Sequence, residues 1–166
     1  MAKHYTQPKG FVGRNICYAV TYNGIYYGHI VGGSATRHLA ARDKFFTTPI
    51  LPVLNRIVNN IFFHIEKSDQ HYPTRNFGQL VLKTWRGQVA EDWEIKYRDQ
   101  VIGFESLVEL PRLGTVYLRD GWREVGVTKG YSCKRTAGKG TDSWTGKRVW
   151  DTVNLRPKHI FVKLKD

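Results

Sequence analysis

Between Val101 and Glu109 the chain reads VIGFESLVE, apolar almost without interruption, and Pro111 closes the run. A strand of that composition is expected at the centre of a sheet, buried on both faces. It needs packed layers above and below, which points to an α/β arrangement. The segment before it supplies one such layer. From Asn76 to Tyr97 the residues Leu80, Leu82, Trp85, Val89, Trp93 and Tyr97 recur mostly at three- or four-residue spacing, the stripe of an amphipathic helix. Thr74 is placed to cap its start, and Gly87 weakens its middle.

The remaining elements follow from the same reading. Ile16–Tyr22 (ICYAVTY) and Ile25–Ser34 (IYYGHIVGGS) flank Asn23-Gly24, a hairpin signal. His38–Phe46 is a short helix, and Pro49 and Pro52 leave room for only a brief helical turn over Leu54–Ile57. Asn60–Glu66 (NIFFHIE) is a strand. Leu113–Asp120 is a short helix stopped by Gly121, and Arg123–Thr128 and Lys158–Leu164 are strands. This order, with no repeat and no linker, predicts one mixed α/β domain over residues 1–166, with an N-terminal arm at 1–15 and a basic, Gly-rich loop at 129–157.

Charge sets the next constraint. Lys and Arg number 26 against 14 for Asp and Glu, a net charge of +12. The excess is uneven: Lys129, Lys134, Arg135, Lys139, Lys147 and Arg148 face only Asp142 in that stretch. Tyr131 and Trp144 are interleaved with them. Cations neutralise phosphates, glycines admit a close backbone and aromatic rings stack on bases, so this loop is the expected nucleic-acid-binding segment. Nucleic acid is therefore the expected partner. A solvated loop is the alternative. The N-terminus carries no apolar signal core and no apolar run is long enough to span a bilayer, which sets the expectation of a cytoplasmic protein without membrane contact. The two cysteines form no CxxC or Cys/His cluster, and Cys17, in an apolar run, reads as a core thiol.

Several residues are candidates for chemistry. Glu105 and Glu109 lie four apart on one strand and so share a face, with Glu109 at the carboxyl end where α/β sites form. A carboxylate there could take a proton from an amine; equally, either could pair with Arg112, Arg119 or Lys129. Tyr117 carries a phenol with an unperturbed pKa near ~10, an acid rather than a base at neutral pH. Asn59-Asn60 could bind a base edge or fix a loop. An iron facial triad needs two His and a carboxylate, which His29, His64 and Glu109 could supply if their strands are neighbours. Glu91, Asp92 and Glu94 are clustered acids on the polar side of the long helix, where a solvated face is the ordinary reading.

The element order resembles that of the GNAT acyltransferases, which implies a mixed, mainly antiparallel central sheet flanked by helices. In that family a helix start with the pattern Gln or Arg, two residues, Gly, one residue, then Gly or Ala holds the coenzyme pyrophosphate. Arg75-Asn76-Phe77-Gly78-Gln79-Leu80 fits at Arg75 and Gly78 and departs at Leu80. The resemblance implies a donor site at Arg75, Asn76, Gly78 and Asn60, an acetyl-CoA or other acyl-CoA donor, and Tyr117 as the acid that protonates a leaving thiolate. A closer resemblance is to the Mom-type DNA-modification proteins of bacteriophages. It rests on Glu105 and Glu109, then Gly114–Trp122 (GTVYLRDGW), then Val125–Gly130 (VGVTKG), with Leu39–Asp43 (LAARD) before and Pro157–Leu164 (PKHIFVKL) after. It implies modification of the adenine N6 amine in double-stranded DNA (an acetamido or carbamoylmethyl type) that protects phage DNA from restriction in the host cytoplasm, with the positive track and stacking ring serving a flipped base. It also implies catalytic roles for Tyr117, Glu109 and Glu105, and iron as a further cofactor. The alternatives are a GNAT N-acetyltransferase acting on a protein or small amine, and a DNA-binding module without catalysis.

Overall fold

A computed structural model describes residues 10–46, 49–66, 72–133 and 150–166. A six-stranded sheet runs through them, built from β1 (Asn15–Tyr22), β2 (Ile25–Ser34), β3 (Ile57–Ile65), β4 (Gly103–Glu109), β5 (Arg123–Val127) and β8 (Lys158–Leu164) in the order β1-β2-β3-β4-β8-β5. All neighbours pair antiparallel except β3 with β4. Two short strands, β6 (Ser132–Cys133) and β7 (Trp150–Asp151), pair separately. The long helix α3 (Phe77–Tyr97) crosses one face, and α1 (Ala40–Phe46) packs on the other, with α2 (Ile50–Val53) and a 3-10 turn at Leu54–Arg56 between α1 and β3.

Each face has its own apolar core, as the buried central strand requires. On one side Leu82, Trp85, Val89 and Trp93 of α3 pack over Val58, Phe104, Val108 and Phe161. On the other, Leu39 and Phe46 meet Ile57, Ile160 and Val162. The helix forms where its 3.6-residue period places it, with one exception. Leu80 is 44% exposed, and Phe77 and Val81 take its place in the stripe. The helix ends at Arg98, which adopts the left-handed conformation (φ 61°) and donates its amide to Glu94 O. Cys17 is exposed on edge strand β1 and is not a core thiol, because only one face of an edge strand is covered here.

The short helix α4 (Thr115–Arg119) depends on Gly114, which begins it at φ +62°. A Cβ at that position would overlap the Phe161 ring. Gly114→Ala is expected to destabilise the fold by about 2–3 kcal/mol, combining left-handed strain with overpacking. A urea midpoint equal to the parent's would show that α4 is held otherwise.

Candidate active site

The single parallel pair creates the site. β3 and β4 pair only over Ile57–Asn59 with Gly103–Glu105. Beyond that point β3 continues alongside β2, while β4 continues alongside β8 from Ser106 to Glu109. Each strand thereby turns one main-chain edge into a gap. A cleft of about 210 Å³ opens there, lined by residues 60–63 of β3, 106–108 of β4, and Arg112, Gly114, Val116 and Tyr117.

Tyr117 is buried at the cleft, its ring stacked on Phe161 (centroids 5.3 Å apart) and edge-on to Trp122 (5.1 Å). Its hydroxyl donates to Asn60 Oδ1 at 2.6 Å. The Asn60 amide is oriented from behind, since its Nδ2 donates to Val31 O (3.3 Å) and Phe62 O (3.4 Å). Ser106 Oγ donates to Asn60 O at 3.2 Å and so bridges the strands just where they separate. The Gly-Trp pair after α4 also has a structural reason. Trp122 Nε1 donates to Asp120 Oδ2 (2.8 Å), and Asp120 receives both Nε and Nη2 of Arg86 (2.8 and 3.2 Å). A bidentate guanidinium–carboxylate pair at a buried junction fixes α4 against α3 in both position and angle. Sequence reasoning missed Arg86; its one signal is a charge set inside the apolar stripe, beside Trp85.

The two glutamates share a face, as their spacing requires, but it is the face opposite Tyr117. Phe104 and Val108 alternate with them and pack with Tyr117, whereas Leu107 lies in the other core. Glu105 is fully buried and ion-paired to Arg42, which is equally buried. The Thr36 amide donates to Glu105 Oε1 (2.6 Å), and Arg42 also bonds Thr36 O (2.7 Å) and Asp43 (2.6 Å). Burial pushes the Glu105 carboxyl up from its ordinary range, against the pull of Arg42 and Thr36. A fully buried carboxylate with both oxygens engaged holds a structural ion pair, which argues against the expected catalytic role, and its partner is Arg42 rather than Arg112, Arg119 or Lys129. Glu109 is half-buried, with Arg156 Nε 4.0 Å away, and stands outside the Tyr117 cleft.

That arginine belongs to a second, basic cleft of about 580 Å³ lined by Leu107, residues 128–131, Arg156 and Lys158. Lys129 and Tyr131 are therefore brought together as expected, with Tyr131 half exposed. Leu107 lines both clefts. Lys134, Arg135, Lys139, Trp144, Lys147 and Arg148 lie outside the described residues.

At the start of α3 the first helical bond is Leu80 N to Asn76 O (3.0 Å), so the amides of Gly78 and Gln79 have no acceptor within the helix. Arg75, Asn76 and Lys83 line an open cleft of about 530 Å³ at this end. Gly78 lies where a Cβ would touch Val116 of α4 at 3.4 Å. Free amides, the positive end of the helix and two cations suit a phosphate group. Leu80 is exposed and lines this cleft as well. Asn60 stands at the parting of the strands and not at the helix start.

A metal is a poorer match. His29 and His64 do face each other across β2 and β3, but Tyr26 OH engages the His29 ring (2.6 Å). Among the described residues no group of three or more His, Cys, Asp or Glu side chains could hold an ion, so the expected His29–His64–Glu109 set is not assembled. Of the acids on α3, Glu91 and Glu94 are solvated, while Asp92 accepts from Tyr18 OH (2.7 Å). Burial, together with Asp92, pushes the Tyr18 phenol well up. Among the described residues no helix is long and apolar enough to cross a membrane.

No known protein family and no curated protein matches the chain by sequence. Solved structures do match by shape. RimL, the ribosomal L7/L12 alpha-N-protein acetyltransferase, is 9% identical with a TM-score of 0.53 over 90% of this chain and 69% of that one. A Salmonella typhimurium acetyl transferase that modifies the N-terminal serine of ribosomal protein L7/L12 is 10% identical, TM-score 0.53, over 93% and 66%. A Bacillus subtilis acetyltransferase solved in complex with CoA is 11% identical, TM-score 0.54, over 92% and 78%. The chain thus spans about two thirds to three quarters of their length, and what it shares with them is a fold, that of the GNAT acetyltransferases.

Proposed function

We propose that the chain is a GNAT-type transferase that moves an acyl group from an acyl-CoA to an amine. The observation that carries this reading is the parting of β3 and β4 with the Tyr117 hydroxyl held at its edge. Two facing main-chain edges offer N–H and C=O groups to an extended donor, and the amides of Gly78 and Gln79 with Arg75 suit its phosphates. What a bound acyl-CoA would supply is a thioester carbonyl open to attack by an amine. The chain's own contribution is proton handling and exclusion of water. Tyr117 OH releases Asn60 Oδ1 and gives its proton to the departing sulfur. Asn60, tied to Val31 and Phe62, stays in place to take the hydroxyl back. Glu109 stands outside this cleft on the other face of β4, so the proton of the incoming amine reaches it through water rather than by direct contact. Phe62, Phe63 and Phe161 keep the cleft apolar around the reacting bond.

The basic cleft favours a finer reading of the acceptor. Lys129, Arg156 and Lys158 gather beside Glu109, with Leu107 as the shared wall to Tyr117. With the net charge of +12, this supports a polyanionic acceptor, namely the adenine N6 amine of DNA, as in the Mom-type proteins that the sequence resembles. Calorimetry with acetyl-CoA tests the transferase reading: saturable binding that Arg75→Ala weakens about tenfold is expected, as for the loss of one charge-assisted phosphate contact. Absence of binding to soluble, folded protein would sink it. Mass spectrometry of nucleosides from DNA co-expressed with the protein tests the acceptor separately. Unmodified adenine alongside acetylation of an added polyamine or peptide would remove the DNA reading and leave the first intact.

A further inference from the structure

On the far side of the molecule from the basic cleft, a groove of about 370 Å³ runs between edge strand β1 and helix α3. It follows β1 from Tyr18 to Tyr22, about five extended residues or ~16 Å at the usual strand rise. Val81, Trp85 and Leu80 form its apolar wall, with Thr84 and Gln88 along the rim. Ala19 and Thr21 alternate with Val20, which packs in the α3-side core, yet both line the groove. Ile30 of β2 lines it too, so the groove lies over the α3-side face of the hairpin and reaches the main chain of Ala19 and Thr21 at the outer edge of β1.

That edge is open. Ser34 N donates to Arg14 O, so the even-numbered residues of β1 turn their amides toward β2 and the odd-numbered ones turn theirs outward. Asn15 shows what an outward position needs: Tyr97 OH bonds both its N and O (2.9 and 3.0 Å), and Lys96 Nζ adds a third bond (3.1 Å). Among the described residues Cys17, Ala19 and Thr21 receive no such cap. The strand NICYAVTY also contains no charge and no proline, the usual means of blunting an edge. Strand addition between an edge strand and a helix is an established way to hold an extended peptide.

The charge around the groove selects its occupant. Leu80 is shared with the cleft at the start of α3, so Arg75 and Lys83 stand at one end, while Asp92, bonded by Tyr18 and Gln88, stands at the other. Residues 1–9 (MAKHYTQPK) carry two lysines and no acid, and β1 of a second copy carries no acid either. Neither complements the basic end. We propose that the β1–α3 groove binds an extended, acidic segment of another protein, added to the sheet as a further strand with alternate apolar side chains against Val81 and Trp85. The groove lies apart from the Tyr117 cleft but shares Arg75 and Lys83 with the donor end of α3, so the titration is made without acyl-CoA.

The test is a titration of full-length, isotope-labelled protein with an acetylated hexapeptide alternating Val and Glu. Saturable shifts and slowed hydrogen exchange are expected at the amides of Cys17, Ala19 and Thr21. Ala19→Pro, which removes one outward donor at an edge position, and Lys83→Glu should each weaken binding about tenfold, the equivalent of a lost hydrogen bond or charge contact. Equal binding of a Val–Lys hexapeptide overturns the proposal. So does perturbation confined to other residues, or exchange protection of those three amides in the free protein, which would show the edge already covered.

Discussion

Tyr117→Phe is expected to lower kcat by about 10²- to 10⁴-fold, the range for loss of a positioned general acid. The readout is release of the coenzyme A thiol from acetyl-CoA in the presence of an accepted amine. The affinity for acetyl-CoA should change little, since the ring keeps its stacking on Phe161 and its edge contact with Trp122. Removing the hydroxyl also leaves Asn60 Oδ1 without its 2.6 Å donor, a cost to stability of about 1–3 kcal/mol. Folding and turnover must therefore be measured on the same preparation. A kcat within about threefold of the parent, on a folded variant, would remove Tyr117 from the chemistry.

The second large effect concerns stability. Glu105→Ala is expected to cost about 3–5 kcal/mol in urea unfolding, because it removes the fully buried partner of Arg42 and leaves the guanidinium only the partly exposed Asp43 and Thr36 O. That is a large share of the total stability of a domain this size. Replacing both members, as Arg42→Met with Glu105→Leu, should recover most of the loss, since two apolar chains of similar volume fill the site without an unpaired charge. The pattern separates two roles for Glu105. A structural carboxylate gives a severe single variant and a mild double one. A catalytic carboxylate would give a stable Glu105→Ala protein that does not turn over, and that result would reverse the assignment made above.

The elements that sequence reasoning located best are those with a local period. The stripe in Asn76–Tyr97 became a helix over Phe77–Tyr97, and the runs around Asn23-Gly24 became the β1–β2 hairpin. The GTVYLRDGW stretch likewise placed Tyr117 on a short helix before Trp122. What escaped detection joins distant segments. Arg42 and Glu105 are 63 residues apart, and Arg86 and Asp120 are 34 apart, so neither pair leaves a spacing signal. The expected partners of Glu105 were the basic residues that follow it in the chain, whereas the actual one comes from α1. The parting of β3 and β4 was equally invisible, because it is a matter of register between strands separated by a whole helix. Even the extent of β3 shows this. Ile57–Asn59 were placed outside the strand, yet they form all of its pairing with β4.

That brief pairing bears on how the molecule moves. The sheet is in effect two wings, β1-β2-β3 and β4-β8-β5, sewn together along a seam from Ile57 to Asn59. Within each wing the strands are laddered along most of their length; across the seam, α3 packs on both wings and Thr36, just after β2, bonds Glu105 and Arg42. Sub-global openings favour the boundary with the fewest backbone bonds. The wings would therefore swing about the seam as rigid plates, widening the gap beside Tyr117 without unravelling either ladder.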